Sequence, residues 1–525
     1  MALTGENIIG YSRGAKGTKF RTENPATGEL IPNEFFTATT SEVDEAMEKA
    51  ASAFAIYKNI GGKERAAFLR DIADELTASA ETLTPMAMAE SGLPEARIKG
   101  ETGRTCGQLR LFADLVEEGS YVDARIETAQ PDRTPVPKPD LRSMQIPLGP
   151  VVVFGASNFP LAFSTVGGDT ASALAAGCPV VVKGHPAHPG TSEIMAQAVI
   201  KAARNNNLPD GVFSLLFDSG IEVGVQLAKH DNAKAIAFTG SLKGGRALMD
   251  IAAARKNPIP VYAEMGSVNP TVLLPGILSE KSDKIAAGLS ASVTMGVGQF
   301  CTNPGLVLGI KDEGWDRFCS ELKNQLANVA QGTMLTDGIC TNYHSDLDEV
   351  CKREEIDVLL KTDSVEQGKA GASLIRIKSS ALRVNPELAN EIFGPVSLLV
   401  ECDSKDDLRE TLSCLEGQLT ASIHGNDNDL NENGDLITQL TALAGRVIYN
   451  AFPTGVDVSA AMVHGGPYPA SSDGRSTSVG MQAILRFMRP VAFQGFPENT
   501  LPTALQSFNP LNIWQTVDGE RLKKS

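Results

Sequence analysis

The sequence predicts an α/β protein whose main unit is a parallel β-sheet covered by helices on both faces. Three observations lead to this prediction. From residue 149 onward, short apolar runs rich in β-branched residues alternate with segments of helical spacing. The 49 glycines suit many tight connections between strands and helices. The length of 525 residues exceeds one ordinary core and indicates two or three structural units.

The first helical region is expected from residue 41 to about 118. In "SEVDEAMEKAASAFAIYKN" apolar side chains recur at helical spacing, and Ser41 stands where an N-cap is expected. The segment "KERAAFLRDIADELTASAETL" repeats this pattern. Neither segment carries a motif with obvious chemistry, so we expect helices that pack on a sheet.

The segment of residues 128–147 interrupts the helical pattern. Its prolines and alternating polar residues indicate an extended excursion rather than core. On composition alone, this segment is either an arm that extends a neighbouring sheet or a surface loop.

Four strand–helix pairs are expected to follow, and a second set of α/β signals runs from about residue 264 to 486. Strands that are apolar throughout and rich in β-branched residues indicate a parallel sheet that is buried on both faces. The four pairs read "GPVVVFGAS" and "GGDTASALAAG", "CPVVVKG" and "TSEIMAQAVIKAARNN", "GVFSLLFD" and "EVGVQLAKH", and "AKAIAFTGS" and "KGGRALMDIAAAR".

The composition limits the classes of function. Lys and Arg number 47 against 63 Asp and Glu, a formal net charge of -16, which disfavours binding to nucleic acid or to an anionic membrane surface. No apolar run is long enough to span a bilayer. The N-terminal sequence "MALTGENIIGYSRGAKG" lacks the apolar region of an export signal, so we expect a cytoplasmic protein.

The cysteines and histidines do not have the spacing of a metal site. The chain has eight Cys and six His, and no two Cys form a CxxC pair. From this spacing we expect no bound metal. We also expect the cysteines to be free thiols in a reducing compartment, because the chain is large and shows no export signal.

Three positions carry candidate catalytic groups, although each has an ordinary alternative. Cys301, in "GVGQFCTNPG", is a nucleophile if it is reachable, but a lone cysteine is commonly a small buried hydrophobe. Glu264 follows an apolar strand, as a general base would, yet a surface glutamate in a loop is the simpler interpretation. Asn158 stands just past the first strand, where an amide can stabilise an oxyanion or simply form a turn.

A second group of positions is suited to a nucleotide. The "FTGS" motif, Phe238 to Ser241, ends a strand and opens a helix, and backbone N–H groups at a helix N-terminus bind phosphate. Lys183 ends the strand "VVVK" and can reach a ribose or a phosphate. In "NEIFGPV", Glu391 can hold ribose hydroxyls and Phe393 can brace a flat ring. Each of these residues is commonplace on its own.

Taken together, these motifs resemble those of the aldehyde dehydrogenase superfamily. The matches occur in one order along almost the whole chain, and the catalytic residues are intact. They are "NPATGE" (24–29), "SNFP" (157–160), "AAGCPVVVK" (175–183), "FTGS" (238–241), "EMGS" (264–267), "GQFC" (298–301), "EIFGP" (391–395) and "RVIYN" (446–450).

The resemblance implies an α/β fold of three parts, with a Rossmann-like cofactor domain, an α/β catalytic domain and a β oligomerisation arm. By this likeness, residues 1–125 and 148–263 form the cofactor domain and residues 264–486 form the catalytic domain. Residues 126–147 and 487–525 form the arm and the C-terminal tail. The likeness also implies a homodimer or homotetramer, because such arms join subunits.

The resemblance further implies NAD(P)-dependent oxidation of an aldehyde to a carboxylate. Cys301 would attack the aldehyde and become a thioester, while Asn158 and the Cys301 backbone N–H would stabilise the oxyanion. Glu264 would then activate the hydrolytic water. The cofactor-binding residues implied by the likeness are Lys183, His185, Gly220, Gly240, Ser241, Gly266, Glu391 and Phe393.

We expect NADP to be used at least as well as NAD. Sites that prefer NAD place a carboxylate near the end of the second strand, where it binds the ribose hydroxyls and repels a 2′-phosphate. Here the chain after Lys183 has no acid until Glu193. Lys183 and His185 instead offer cationic or donor groups.

The expected substrate is a short aldehyde with a distal carboxylate. The stretches "EMGSVNP", "GQFCTNPG" and "HGGPYPASSD" resemble family members that oxidise α-ketoglutaric semialdehyde, and also an NADP-linked group that acts on long-chain aldehydes. Arg104 and Gln108 lie four apart on one predicted helix face and are either a grip for the carboxylate or solvated surface residues. Phe159, Phe163 and Phe300 are the candidate apolar wall, which suits an aliphatic chain equally well.

Some positions depart from the common pattern of the family. Met265 stands where "ELGG" is frequent, and Val166 and Gly167 replace a frequent Trp-Lys pair, so substrate specificity does not transfer from common members. Relatives that pass the acyl group to coenzyme A need no water-activating base, so Glu264 favours hydrolysis. An inactive structural relative is the non-enzyme alternative, and the intact catalytic residues argue against it.

Overall fold

The structure is a computed structural model that describes residues 3–363 and 366–523. Within these ranges, no helix is both long and apolar enough to cross a membrane. The strands in chain order are β1 (Asn7–Ile9), β2 (Ser12–Gly14), β3 (Lys19–Phe20), β4 (Glu23–Asn24), β5 (Glu29–Leu30), β6 (Phe35–Phe36), β7 (Ala124–Glu127), β8 (Leu141–Pro147), β9 (Val151–Phe154), β10 (Val180–Lys183), β11 (Phe213–Leu216), β12 (Ala235–Thr239), β13 (Val261–Glu264), β14 (Thr271–Leu273), β15 (Leu306–Ile310), β16 (Gly332–Thr333), β17 (Asp357–Leu360), β18 (Lys369–Ala370), β19 (Ser373–Lys378), β20 (Val396–Cys402), β21 (Gln418–His424), β22 (Ala444–Tyr449), β23 (Met488–Gln494), β24 (Gln515–Val517) and β25 (Glu520–Leu522).

Helices alternate with many of these strands. The α-helices are α1 (Thr40–Tyr57), α2 (Gly62–Ala78), α3 (Ala80–Ser91), α4 (Glu95–Glu118), α5 (Gly168–Ala176), α6 (Pro189–Asn205), α7 (Glu222–Lys229), α8 (Leu242–Ala253), α9 (Pro275–Thr294), α10 (Glu313–Ala327), α11 (Asp337–Cys351), α12 (Ser379–Val384), α13 (Lys405–Leu412), α14 (Asp427–Glu432) and α15 (Gly434–Leu443).

The first large sheet contains the predicted parallel strands. Its seven strands lie in the order β13-β12-β9-β10-β11-β1-β2, and β9 to β13 pair in parallel. The three valines of β9 and the three of β10 are fully buried, as expected for a sheet covered on both faces. The four predicted strand–helix pairs are confirmed. The sequence did not predict the hairpin β1–β2, which joins the sheet antiparallel to β11.

The second large sheet accounts for the later α/β signals. Its order is β17-β19-β20-β15-β14-β21-β22, and all neighbours are parallel except the edge strand β17. A third sheet of five strands, in the order β23-β8-β7-β24-β25, joins residues 124–147 to residues 488–522. Residues 141–147 of the proline-rich segment therefore form a strand. The predicted α/β fold is confirmed, and the exact division into three domains stays a prediction.

The N-cap of the first helix lies two residues before the expected position. Its N-cap is Thr39 rather than Ser41. The Glu42 carboxylate accepts a hydrogen bond from the Thr39 backbone N–H at 2.8 Å. This hydrogen bond ties the first turn of the helix to the residue before it, which explains why Thr39 rather than Ser41 is the cap.

One hydrophobic core connects the first sheet to a distant part of the chain. Ala483, Ile484 and Phe487 are fully buried among side chains of α2, α4, β9 and β10. A domain limit at residue 486 therefore falls inside this packed region. The segment that ends there also contacts β13, because the Ser472 N–H donates to the Ala263 carbonyl at 2.9 Å.

Candidate active site

A tightly wound turn presents Cys301. Gly296, Val297 and Gly298 all have positive φ angles, of 56°, 59° and 68°. A side chain at Gly298 would lie 2.3 Å from the Gly394 carbonyl carbon, so only glycine fits there. For Val297, which is β-branched, the left-handed conformation costs about 1–3 kcal/mol. Surrounding contacts must hold this turn, and they thereby fix the position of Cys301.

Asn269 supplies several of these contacts. Its side-chain amide donates to the carbonyl oxygens of Cys301 and Asn303, each at 2.9 Å. Its Oδ1 accepts hydrogen bonds from the hydroxyls of Ser267 and Thr420. Asn269 is fully buried, so these bonds are shielded from water. No motif in the sequence marks this residue.

Three reactive side chains meet beside this turn. Nε2 of His464 lies 2.8 Å from Oε1 of Glu264 and 3.4 Å from Sγ of Cys301. The hydroxyl of Ser478 donates to Oε2 of Glu264 at 2.6 Å, which orients the carboxylate. Glu264 is the last residue of β13, while His464 and Ser478 come from the segment that packs against this strand. The arrangement places two proton acceptors next to one thiol.

The charges in this cluster favour an ionised Glu264 and a neutral thiol. Burial alone would raise the pKa of Glu264, but the His464 imidazole and the Ser478 hydroxyl outweigh it, and the pKa is lowered. Burial and the Glu264 carboxylate raise the pKa of the Cys301 thiol well above its ordinary value. Cys301 is therefore protonated at rest, and it must pass its proton to a neighbour when it attacks.

We predict that Cys301 is alkylated slowly at neutral pH by a neutral reagent such as iodoacetamide. Below the pKa of the thiol, the thiolate fraction rises tenfold per pH unit, so the rate should climb from about pH 7 to 10 without a plateau. The measurement is modification of the Cys301 peptide by mass spectrometry. A plateau reached near pH 7 would show a preformed thiolate and contradict the raised pKa.

Asn158 lies at the mouth of the same cluster. Its side-chain amide donates to the Gln299 carbonyl at 3.1 Å, which places it beside the turn that carries Cys301. Asn158, Glu264 and Cys301 line one cleft. An amide in this position can donate to an oxyanion that forms on a carbon bound to Sγ.

Helix α4 holds the loop of Asn158 in place. The buried Glu101 carboxylate accepts hydrogen bonds from the backbone N–H groups of Leu161 and Ala162, at 2.8 and 2.9 Å. One helical turn earlier, the Arg97 guanidinium stacks on the Phe159 ring at 4.3 Å. These contacts fix both ends of the turn that follows Asn158.

The candidate apolar wall is continuous. Ring centroids of Phe300 and Phe159 are 5.2 Å apart, and those of Phe159 and Phe163 are 5.1 Å apart, both in edge-to-face geometry. Phe163 also lies 6.0 Å from the His464 ring. The three phenylalanines predicted to form an apolar wall therefore lie side by side, and Phe163 is next to His464 in the reactive cluster.

Arg104 extends from α4 toward this wall. Its guanidinium lies 4.9 Å from the centre of the Phe163 ring, and its Nε donates to the Val456 carbonyl at 3.3 Å. Both terminal nitrogens are buried and have no hydrogen-bond partner among the described residues. Burial lowers the pKa of Arg104, while Glu101, Cys301 and Glu264 oppose this shift. The Phe163 ring lies between this guanidinium and the ring of His464 and connects Arg104 to the reactive cluster.

Gln108 has a different environment from Arg104. It is buried, and a side chain at Gly168, the first residue of α5, would lie 2.9 Å from its Nε2. This nitrogen also lacks a partner within the described chain. A joint grip of Arg104 and Gln108 on one carboxylate stays a prediction.

The cleft that Asn158, Glu264 and Cys301 line has a volume of about 490 Å³. Its rim is the end of the first sheet, where the Gly240 N–H donates to the Glu264 carbonyl and Ser241 caps α8. The cleft is lined by Gly155, Ala156, Ser157, Asn158, His185, Phe238, Thr239, Gly240, Ser241, Gly244, Glu264, Met265, Gly266, Cys301, Ile339, Asn342, Tyr343, Asp346, Glu391 and Phe393.

The cleft fits a dinucleotide. The N-terminus of α8 at Ser241 can bind a phosphate. Gly266 faces the Glu391 carboxylate, and a Cβ atom at position 266 would lie only 2.4 Å from a Glu391 carboxylate oxygen. Burial raises the pKa of Glu391 to about 7. Its carboxyl group can form hydrogen bonds with ribose hydroxyls. Phe393 lines the same cleft.

Two of the candidate cofactor residues are not among those that line the cleft, and their contact with a cofactor stays a prediction. Gly220 does not line the cleft, and its N–H donates to the Asp218 side chain at 2.8 Å. Lys183 ends β10 but is also not among the lining residues. Burial lowers its pKa, while the Asp218 carboxylate opposes this shift.

His185 lines the cleft, but the idea that it adds a cation is wrong. Its Nδ1 accepts a hydrogen bond from the Ala187 N–H at 3.1 Å, and its ring stacks on His188. Burial, His188 and Lys183 all lower its pKa well below the ordinary value. The imidazole is therefore neutral at physiological pH and can serve only as a donor through Nε2.

Comparisons with known proteins agree with the resemblance that the sequence motifs show. The family model described as "Aldehyde dehydrogenase family" matches residues 11–490. The α-ketoglutaric semialdehyde dehydrogenase 2 of Azospirillum brasilense is 48% identical over 99% of this chain and 100% of its own length. The α-ketoglutaric semialdehyde dehydrogenase of Acinetobacter baylyi is 45% identical over 95% of this chain and 94% of its own length.

Solved structures agree on the fold. A mutant form of the 1-pyrroline-5-carboxylate dehydrogenase of Thermus thermophilus superposes with a TM-score of 0.80 at 19% identity. The match covers 93% of this chain and 92% of that one. With its order of motifs, its sheet topology and these matches, the chain belongs to the aldehyde dehydrogenase family.

Proposed function

We propose that this enzyme oxidises α-ketoglutaric semialdehyde to 2-oxoglutarate with NADP, through a thioester on Cys301. The observation that carries the choice of substrate is the Arg104 guanidinium, which packs on Phe163 next to the reactive cluster and has both buried terminal nitrogens unpaired among the described residues. Two relatives that match nearly the whole chain carry this substrate in their names.

The unpaired guanidinium of Arg104 is suited to bind an anionic ligand. A buried charge without a partner is costly, and a carboxylate that accepts two parallel N–H bonds removes this cost. The protein as a whole is acidic, so a free carboxylate binds only where local donors cancel the adverse field. A short aldehyde with a distal carboxylate would place its anion on Arg104 and its chain along Phe163.

In the proposed reaction, Cys301 attacks the aldehyde carbon. The thiol proton passes to the Glu264 carboxylate, either directly or through the His464 imidazole, whose Nε2 lies beside both Sγ and Oε1. The Asn158 amide and the Cys301 backbone N–H stabilise the oxyanion. When bound, the nicotinamide cofactor supplies the hydride acceptor that turns the adduct into a thioester.

Hydrolysis then depends on Glu264. Its Oε2 is fixed by Ser478, while Oε1 faces the space beside Cys301. From there the carboxylate can remove a proton from water as the water attacks the thioester carbonyl. The product carboxylate leaves and Cys301 takes up a proton again.

The substrate proposal is tested by kcat/KM for α-ketoglutaric semialdehyde against hexanal and decanal. We expect the keto acid to win by at least tenfold in the wild-type enzyme. In Arg104→Met, its kcat/KM should fall by about 10²-fold or more, because a charge-assisted bidentate contact is lost. The values for the two uncharged aldehydes should change by less than about threefold.

Arg110→Met is the matched control, since Arg110 is exposed on the same helix and pairs with Asp74. Its kinetics should equal those of the wild type. A tenfold advantage for the uncharged aldehydes would refute the carboxylate substrate in favour of a long-chain aldehyde. If the keto acid wins but Arg104→Met has no effect, the anchor is wrong and the substrate stands.

The residues at the end of β10 favour NADP over NAD. No acid follows Lys183 until the buried Glu193, and both oxygens of the nearby Asp218 accept backbone N–H groups, from Gly220 and Val223. Asp218 is thus committed to its own turn and to α7. We propose that Lys183, at the end of β10, is the cation that binds the 2′-phosphate.

We therefore expect kcat/KM with NADP to equal or exceed that with NAD. Lys183→Met should lower the NADP value by about tenfold and the NAD value by less than about threefold, because only NADP carries the extra phosphate. Steady-state kinetics with each cofactor measure both. A strong wild-type preference for NAD, or equal losses in the variant, would refute this assignment.

We also propose that the five-stranded sheet serves as the oligomerisation arm. The sheet joins β7 and β8 to the C-terminal strands β23 to β25, and its outer strand β25 is exposed. A homodimer or homotetramer and a cytoplasmic location remain predictions.

A further inference from the structure

The reactive cluster has the composition and spacing of a metal site. Among the described residues, a carboxylate oxygen of Glu264, Sγ of Cys301 and one ring nitrogen of His464 all lie within 4.8 Å of one another. Ligands of a tetrahedral zinc ion are separated by about 3.3–3.6 Å, given Zn–N and Zn–O bonds near 2.1 Å and a Zn–S bond near 2.3 Å. The 3.4 Å between His464 and Cys301 matches this separation. The 2.8 Å between His464 and Glu264 must widen by about 0.5 Å when the ion binds.

A second observation points to a missing partner in the cluster. Oε1 of Glu264 is buried and makes no hydrogen bond of normal geometry within the described chain, although it lies 2.8 Å from Nε2 of His464. The two residues are 4% and 1% exposed, so the pair is largely shielded from bulk water. An ion between them would satisfy the oxygen and the nitrogen together.

We infer that Cys301, His464 and Glu264 form a binding site for Zn²⁺ that inhibits the enzyme. The ion bonds to Sγ as the thiol proton leaves to solvent, to Nε2 of His464 and to one oxygen of Glu264. The imidazole proton then resides on Nδ1. A water molecule completes the tetrahedron, and no oxidation or reduction takes place.

The donor set selects for zinc. A thiolate and an imidazole suit Zn²⁺, whereas Mg²⁺ and Ca²⁺ prefer sites built from oxygen. The ion can enter through the cofactor cleft, which Glu264 and Cys301 line. The spacing of cysteines and histidines along the sequence did not predict this site, because its three ligands come from three separate segments.

The site has the character of an inhibitory site rather than a structural one. Nδ1 of His464 has no partner among the described residues, whereas histidines in permanent zinc sites normally donate through the second nitrogen. Glu264 does have such support, from the Ser478 hydroxyl. We therefore expect binding that a chelator reverses, and zinc should compete with the aldehyde for Cys301.

The first test is a zinc titration of metal-free enzyme against a chromophoric chelator. We expect one equivalent to bind to the wild type, and His464→Asn and Glu264→Gln each to weaken binding by at least tenfold. Cys414→Ser, which removes a half-buried thiol elsewhere, should bind like the wild type. Equal affinity in the wild type, His464→Asn and Glu264→Gln would overturn the proposal.

The second test uses Co²⁺ as a spectroscopic probe. A thiolate-to-cobalt charge-transfer band should appear in the wild type and in Cys414→Ser, and it should be absent in Cys301→Ala. A band that persists in Cys301→Ala would also overturn the site. Thermal unfolding of each variant, measured alongside, verifies that it is folded.

Inhibition rests on the proposed role of Cys301, whereas binding does not. We expect Zn²⁺ to raise the apparent KM for the aldehyde and EDTA to restore activity fully. If zinc binds with the expected ligand dependence but activity is unchanged, the zinc site stands and the proposed nucleophile fails.

Discussion

Replacing Cys301 with alanine should lower aldehyde oxidation by at least about 10⁴-fold. The substitution removes the nucleophile that the wound turn presents beside Glu264 and Asn158, so neither the covalent adduct nor the thioester can form. Steady-state formation of reduced cofactor and the pre-steady-state burst should both vanish. Binding of the cofactor itself should remain within about threefold of the wild type.

The matched control for this variant is Cys414→Ser. Cys414 is only half-buried, like Cys301. Its thiol donates to the Glu410 carbonyl, and Cys414 does not line the cleft. Activity of this variant should equal that of the wild type. Turnover that survives in Cys301→Ala at a tenth of the wild-type rate would show that another group is the nucleophile.

Replacing Glu264 with glutamine should separate the two halves of the reaction. We expect a burst of about one equivalent of reduced cofactor, followed by turnover slowed by about 10²–10⁴-fold, because the water lacks its general base. His464 remains 3.4 Å from Sγ and can still accept the thiol proton, so the first half survives. Stopped-flow absorbance at the reduced-cofactor band measures both phases.

The absence of a burst would change the assignment. It would show that Glu264 must also accept the thiol proton and that His464 cannot replace it. Ser478→Ala serves as a companion variant, since it leaves the carboxylate in place but removes the hydroxyl that orients Oε2. Its burst should be normal and its turnover intermediate between the wild type and Glu264→Gln.

The large features of the fold were predictable because they arise from local patterns. The buried valine runs of β9 and β10 indicate strands within a few residues of sequence. The glycine that ends α5 indicates a helix end in the same local way. The hairpin β1–β2 was not predictable, since its strands have three residues each and gain stability only by pairing with β11, some two hundred residues away. The N-cap at Thr39 was missed because Ser41 is an equally good cap by residue type.

The candidate site was predictable where a motif carries the residue. Cys301, Glu264 and Asn158 stand in such motifs, and the structure places them in one cleft. His464 was not singled out, although it lies in "HGGPYPASSD", because only the tertiary fold brings its ring to Glu264. The cationic role suggested for His185 failed for a related reason, since its burial and its stack on His188 cannot be read from sequence.

The central claim is that a carboxylate-bearing aldehyde becomes a thioester on Cys301. The most direct test mixes Glu264→Gln with NADP and α-ketoglutaric semialdehyde, quenches in acid and examines the peptides by mass spectrometry. We predict that the peptide with Cys301 gains the mass of a 2-oxoglutaryl group at about one equivalent and that no other cysteine peptide does. A burst of reduced cofactor without this adduct, or an adduct on a different cysteine, would contradict the account.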